Sequence, residues 1–101
     1  MLKQKLKDDL KRAMLSRAEV TTSTLRLLLS KLSYYEMTKG KEYEASDEEV
    51  LDTIQKSIKE HTESIEQFAK GGRPDLVAKE TSELGILKSY LPPLSPFLPN
   101  N

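Results

Sequence analysis

Residues 63–92, ESIEQFAKGGRPDLVAKETSELGILKSYLP, decide the fold of this chain. They predict a helix, a tight turn and a second helix that stops at prolines. Gly71-Gly72 can supply the left-handed residue that commonly ends a helix. Pro74 is tolerated in a first helical turn, and Asp75 puts a negative charge at the positive end of the second helix. Pro92-Pro93 ends that helix because proline donates no backbone hydrogen bond.

The first of these two helices begins well upstream, at a strong start signal. Ser46 and Glu49 are spaced as a capping box, in which each side chain bonds the other residue's backbone amide. Apolar positions then recur at intervals of three and four residues, the spacing of one buried helix face. These positions are Leu51, Ile54, Ile58, His61, Ile65 and Phe68. We expect the side chains of Ile54, Ile58, Ile65 and Phe68 to be largely buried.

The same spacing argument predicts the remaining helices. The first carries an apolar stripe of Leu2, Leu6, Leu10, Ala13 and Met14. The second starts near Thr21–Ser23, runs to about Met37 before Gly40, and presents Leu25, Leu28, Leu32 and Tyr35 on one face. The last runs from Pro74 to about Tyr90, with Val77, Leu84, Leu87 and Leu91 on its buried side.

The predicted fold is therefore all-α, a small multihelical bundle of four helices with a long central third helix. Residues 1–91 form one helical domain, and residues 92–101 form a proline-rich, extended tail. The 101-residue chain has no cysteine, which excludes disulfides and thiolate chemistry. No apolar run approaches the roughly 20 residues of a membrane helix, and the N-terminal residues do not resemble a signal or transit peptide. We expect a cytoplasmic protein without membrane contact.

The charges are balanced overall but unevenly distributed. Residues 1–41 carry a net charge of +6, and residues 42–101 carry −6. This asymmetry fits either a basic binding surface or an attraction between the two halves of one bundle.

The basic residues are the candidate binding residues. Lys3, Lys7 and Lys11 lie four residues apart on one helix face, where like charges repel unless acidic groups of the bundle or an anionic ligand offset them. Arg26 interrupts a leucine-rich stretch, and its guanidinium can bind phosphate through two hydrogen bonds. Arg73 either bonds the carbonyls that end the third helix or contacts a partner. The nucleic-acid-binding candidates are Lys3, Lys7, Lys11, Arg12, Arg17, Arg26, Lys31 and Arg73. Tyr34, Tyr35 and Tyr43 are candidates for stacking on bases, although Tyr35 also continues the core spacing.

Few residues suit catalysis. The one histidine, His61, lies on the apolar seam, so we expect a histidine at the core boundary whose polar atoms are satisfied; the alternative is a ligand or acid–base role. No second histidine or cysteine completes a zinc site of the usual kind, and no serine has a G-x-S-x-G setting. Neither of the common phosphate-binding glycine motifs is present. We expect no catalytic residue and no metal or cofactor.

The order E-S-I-E-x-F-x-K-G-G-R-x-D-L-x-x-K-E-x-x-E-L-x-I-L-x-x-Y-L-P within residues 63–92 closely resembles the YqeY family. The segments STLRLLL at 23–29 and SDEEV at 46–50 extend the resemblance to about residues 1–92. Two features depart from the family pattern. His61-Thr62 stand where members usually have basic residues, and the family usually continues past Leu91-Pro92 into a second helical domain. We expect a short form that lacks this second domain.

The resemblance implies a function related to tRNA. The same domain forms the tail of the B subunit of glutamine-dependent tRNA amidotransferases, where it engages tRNA while other parts make the amide. This implies a tRNA-amidotransferase-like accessory module, with tRNA or an amidotransferase complex as partner. The associated chemistry is a carbon–nitrogen ligase activity with glutamine as amido-nitrogen donor, not carried out by this domain. The alternative is a helical protein–protein interaction module that uses an exposed part of the third-helix seam and has no nucleic-acid role.

Overall fold

Residues 1–92 form four α-helices in the computed structural model, which describes that part of the chain. Helix α1 spans Leu2–Leu15, α2 spans Glu19–Lys39, α3 spans Asp47–Lys70 and α4 spans Pro74–Lys88. No strand occurs among these residues, so the predicted all-α class is confirmed. The predicted proline-rich tail lies, except for Pro92, outside the described residues. The division of the chain at residue 91 stays a prediction.

The helices pack as two neighbouring pairs, α1 with α2 and α3 with α4. Helix α2 also contacts both α3 and α4 and so joins the two pairs. α3 is the longest helix, at 24 residues. The shared core consists of Leu6, Leu25, Leu28, Leu32, Ala45, Val50, Ile54 and Leu87. Three of these leucines belong to α2, in agreement with the strongly apolar face predicted for it.

The turn between α3 and α4 has the geometry that Gly71-Gly72 predicts. Gly72 is left-handed, with φ of 69°. The backbone amide of Arg73 donates to the carbonyl of Phe68 at 2.9 Å, which closes a Schellman motif. Of the two alternatives for Arg73, the bond from its side chain to these carbonyls is wrong. Because the backbone amide already fills that role, the guanidinium instead pairs with Asp75 at 3.3 Å.

The turn between α1 and α2 uses the same motif with a different residue. The amide of Ala18 donates to the carbonyl of Ala13 at 2.9 Å, and Arg17 occupies the left-handed position with φ of 60°. This turn leads directly into α2, which begins at Glu19 without a side-chain cap. The predicted start near Thr21–Ser23 is therefore wrong, because the turn itself fixes the start of the helix.

The start of α3 is the predicted capping box. The amide of Glu49 donates to the Ser46 hydroxyl at 3.2 Å, and the amide of Ser46 donates to the Glu49 carboxylate at 2.9 Å. The hydroxyls of Tyr35 and Tyr43 donate to the same carboxylate. The Ser46 amide, followed by the two tyrosines, lowers the pKa of Glu49 to about 2. The bond to Glu49 raises the pKa of Tyr35 to about 12.

The seam of α3 is less buried than its spacing predicts. Ile54 is fully buried in the shared core, but Ile58, Ile65 and Phe68 are only partly buried. The main neighbour of α3 is α4, and the contact between a pair of helices leaves side chains at its edges in solvent. Met14, assigned to the stripe of α1, is likewise 43% exposed.

A long-range contact closes the bundle. The Tyr90 hydroxyl, just after α4, donates to the carboxylate of Asp9 in α1 at 2.5 Å. Burial, together with this bond to a carboxylate, raises the pKa of Tyr90. Burial works against the charge on Asp9, but the bonds from Tyr90 and Lys5 outweigh it and lower the pKa of that carboxyl.

We expect truncation of Ile54 to be more costly than truncation of Ile58. Ile54→Ala removes a fully enclosed side chain and should lower the free energy of unfolding by about 2–5 kcal/mol. Ile58→Ala, at a half-buried position of the same seam, should cost less because solvent can fill part of the space. Urea denaturation of both variants checks this, and equal losses would contradict the assigned packing.

We also expect acid to weaken the start of α3. A carboxyl whose pKa is lowered on folding stabilises the fold above its unfolded pKa, here near 4.5, and loses that contribution as the pH falls toward about 2. Glu49→Gln keeps the capping geometry without the titrating charge. The stability difference between wild type and Glu49→Gln should shrink when urea denaturation at about pH 7 is repeated at about pH 3. A difference that stays constant would show that the Glu49 carboxylate is not held as described.

Candidate functional site

The eight basic candidates fall into two groups. Lys3, Arg12, Lys31 and Arg73 each form an ion pair with a carboxylate. Lys7, Lys11, Arg17 and Arg26 form no ion pair with a carboxylate of residues 1–92, and all four are exposed. We call this second group the basic edge.

The ion pairs of the first group include links between the basic and acidic halves of the chain. Lys3 contacts Glu44 of the acidic half at 3.1 Å and also Glu36 of its own half at 2.7 Å, and the bond to Glu36 raises the pKa of Lys3. Lys31 in α2 contacts Glu60 in α3 at 2.7 Å. Attraction between the two halves therefore accounts for part of the charge asymmetry.

The basic edge follows α1 and the turn after it. At one end of the antiparallel α1–α2 pair, Lys3 contacts α2 through Glu36. At the other end, the guanidinium of Arg26 lies 3.2 Å from the Met14 sulfur. Lys7 and Lys11 lie between these contacts, because they follow Lys3 at four-residue intervals on the same face. A cleft of about 470 Å³ at the Arg26 end is lined by Met14, Arg17, Glu19, Thr22, Ser23 and Arg26.

The three candidate stacking tyrosines differ in their surroundings. Tyr34 is 71% exposed on α2. Tyr35 and Tyr43 pack edge to face, with ring centroids 6.4 Å apart, and both bond to Glu49. The structure thus uses Tyr35 and Tyr43 to build the start of α3 and leaves the ring of Tyr34 accessible.

A second polar site lies between α3 and α4. His61 is 8% exposed and Glu83 is 7% exposed. The Nδ1 atom of His61 lies 2.8 Å from the carbonyl oxygen of Ser57, and its Nε2 atom lies 3.0 Å from Oε1 of Glu83. Oε1 of Glu80 is 3.9 Å from the same Nε2 atom. His61 therefore lies at the core boundary, as predicted, and each of its ring nitrogens has a polar neighbour.

This polar site opens into a cleft of about 350 Å³ between α2, α3 and α4. Among its lining residues are Ser23, Lys31, Ser57, Glu60, Ser64 and Lys79, together with His61, Glu80 and Glu83. The Lys31–Glu60 ion pair belongs to the same lining.

Sequence reasoning identifies His61 but misses its two carboxylate partners. A usable signal is present, because Leu76, Glu80, Glu83 and Leu87 recur at intervals of four and three residues on α4. The predicted buried side of α4, centred on Val77, Leu84, Leu87 and Leu91, is therefore only partly right. Charged side chains are rarely buried unless they are paired. A glutamate on the same helix face as buried Leu87 therefore indicates a buried partner or a binding site.

Comparison with known proteins identifies the family of this fold. A family model described as Yqey-like protein matches residues 3–95. The chain belongs to the YqeY family. The segments that resemble this family form part of α2, the start of α3, the turn between α3 and α4, and α4 itself.

Individual relatives support the same family assignment. "Altered inheritance of mitochondria protein 41, mitochondrial" of Lachancea thermotolerans is 42% identical over 88 residues, covering 85% of this chain and 46% of the relative. The protein of that name in Saccharomyces cerevisiae is 38% identical over 87 residues, with the same coverage. An uncharacterized protein of Schizosaccharomyces pombe is 36% identical over 92 residues, covering 91% of this chain and 70% of the relative. The chain thus spans about half the length of the relatives named mitochondrial.

These names correct one prediction. The predicted cytoplasmic location is contradicted, because relatives at 38% and 42% identity are named as mitochondrial proteins. Within residues 1–92, no helix combines the length and apolar character needed to cross a membrane.

Proposed function

We propose that this chain is a non-catalytic, tRNA-binding accessory module connected with glutamine-dependent transamidation of mischarged tRNA. Membership of the YqeY family supports the proposal, because the related domain forms the tail of the B subunit of the amidotransferase. The names of the mitochondrial relatives favour mitochondria as the place of this role. The basic edge is the observation that carries the proposal.

The basic edge has the charge and accessibility that RNA phosphates require. Lys7, Lys11, Arg17 and Arg26 project from α1, the following turn and α2, and no carboxylate of the described residues forms an ion pair with them. Lys7 contributes a longer-range attraction to Glu36, which leaves its ammonium group exposed. Four cations along one edge can release condensed counterions from RNA, which favours binding at low salt.

The backbone of Arg17 adds a second argument. The equivalent position of the α3–α4 turn is Gly72, which adopts its left-handed conformation without steric cost. Arg17 holds the same conformation with a full side chain, at a cost of about 1–2 kcal/mol. Backbone strain at an exposed residue supports a hypothesis of function, and here Arg17 lines the same cleft as Arg26.

Exposed apolar side chains on α2 favour the alternative, a protein–protein interaction module. Leu27 is 50% exposed and Met37 is 75% exposed, on the helix that also carries the open ring of Tyr34. The third-helix seam, where the sequence predicts the exposed surface, is instead at least partly buried throughout. The two functions differ in their response to salt, since phosphate contacts weaken steeply as salt rises and apolar protein contacts do not.

Neutralising the basic edge should weaken RNA binding without unfolding the protein. With a tRNA transcript as probe, changing Lys7, Lys11 and Arg26 to glutamine should lower the affinity. It should also reduce the slope of log affinity against log salt by about one unit for each phosphate that is no longer bound. Thermal stability should change little, because exposed charges contribute only about 0–1 kcal/mol.

Two control variants make this test specific. Lys59→Gln removes an exposed lysine of α3 and should leave the salt slope unchanged. Glu19→Gln removes the carboxylate that lines the Arg26 cleft and should strengthen binding. Flat RNA affinity in the triple variant, together with salt-insensitive capture of a protein, would reject the RNA role and support the interaction module.

Arg17→Gly should separate stability from binding. Glycine relieves the left-handed strain and should raise the free energy of unfolding by about 1 kcal/mol. The same change removes one cation from the basic edge and should weaken binding to the tRNA transcript. Denaturation and binding measured on one preparation check both effects. A variant that is more stable and binds equally well would show that Arg17 has no part in binding RNA.

A further inference from the structure

The hydrogen bonds of His61 leave one ring nitrogen facing two carboxylates. Its Nδ1 atom lies 2.8 Å from the Ser57 carbonyl oxygen, which only accepts hydrogen bonds, so Nδ1 must carry a proton. In the neutral ring, Nε2 is then an unprotonated acceptor. It points at Glu83 and Glu80, at 3.0 and 3.9 Å, and these carboxylates also only accept. An imidazole nitrogen and a carboxylate at such a distance are held together by a shared proton or by a metal ion.

The surroundings supply little other positive charge. Lys79 lies 3.5 Å from the other oxygen of Glu83, and its side chain is 60% exposed. Lys31 lines the same cleft but is engaged with Glu60 at 2.7 Å. A buried carboxylate is costly unless it is paired or bound to a metal, and Glu83 is 7% exposed. Glu80 brings a second negative group to the same point.

We propose that His61, Glu80 and Glu83 bind one divalent transition-metal ion, with zinc as the preferred ion, between α3 and α4. One ligand atom from each residue lies within 4.8 Å of the others. Ligands about 2.0–2.1 Å from a tetrahedral zinc ion are separated by about 3.3 Å. The distances of 3.0 and 3.9 Å from Nε2 to the two glutamates bracket that value, so small rotamer changes bring all three groups onto one ion.

The groups around the ligands also suit a metal. Metal-binding histidines usually donate their second ring N–H to a carbonyl or carboxylate, which fixes the ring and the tautomer. The bond from Nδ1 to Ser57, one turn earlier on α3, provides this support. One imidazole and two carboxylates favour zinc over magnesium, which prefers oxygen ligands and retains its water. The three residues leave a fourth position for water, of the kind found at zinc sites that are not closed by protein ligands.

Zinc titration of the untagged 101-residue chain tests the site. We expect calorimetry to show one zinc ion per chain with a dissociation constant on the order of micromolar. Magnesium at the same concentration should give no binding. His61→Gln, Glu80→Gln and Glu83→Gln should each weaken zinc binding by at least about tenfold. Lys79→Met should strengthen it by removing a competing cation.

A control variant and a measurement on the wild-type protein separate zinc binding at these ligands from binding elsewhere and from unfolding. Glu60→Gln changes a carboxylate of the same cleft that lies outside the ligand cluster, and it should leave zinc affinity unchanged. Nitrogen NMR of the wild-type protein does not depend on whether any variant folds, and His61 is the only histidine in the chain. Zinc should shift the Nε2 signal and leave the proton on Nδ1.

Three results would overturn the proposal. These are no zinc binding below millimolar concentration, an Nε2 signal that does not respond to bound zinc, or full zinc affinity in both glutamate variants. The first two would leave a proton shared between His61 and the carboxylates of α4 in place of the metal ion.

Discussion

The carboxylate of Glu49 fixes where α3 starts, and much of the remaining structure follows from that point. It accepts the Ser46 amide, which begins the helix, and the hydroxyls of Tyr35 in α2 and Tyr43 in the connecting loop. Each residue of a helix turns the chain by about 100°, so a fixed start determines which side chains face which neighbour. Ile54 consequently points into the shared core, and His61, two turns later, meets α4. Moving the start of α3 by one residue would rotate both away from their partners.

The elements predicted correctly are those whose determinants are local. The capping box at Ser46 and the turn at Gly71-Gly72 are each specified by residues close together in the chain, and both occur as predicted. The predicted start of α2 is wrong because Arg17 is not a residue that signals a left-handed turn. Its left-handed conformation instead belongs to the turn that joins α1 to α2, two helices that pack on each other. The burial of Glu83 likewise depends on His61, a residue of another helix. The distribution of charges along the sequence predicts a basic surface, but it does not show which cations have acidic partners.

The two candidate sites meet on α2. Ser23 lines both the cleft beside Arg26 and the cleft that contains His61. The cleft beside Arg26 is lined by two arginines and one glutamate, whereas the cleft that contains His61 is lined by three glutamates and two lysines. The Lys31–Glu60 ion pair lies in the cleft that contains His61, where it uses a lysine of the basic half of the sequence. A chain of zero net charge therefore has two neighbouring clefts of different charge, and both are lined by Ser23.

The contact between Tyr90 and Asp9 bears on how the chain folds during synthesis. Most helix contacts join neighbours in sequence, and such local contacts form quickly once both helices are available. The hydroxyl of Tyr90, however, reaches back across 81 positions to α1. Before Tyr90 leaves the ribosome, the half-buried Asp9 has no such partner, and one end of the α1–α2 pair remains open. The bundle therefore becomes complete in a late step, when its last turn joins its first helix.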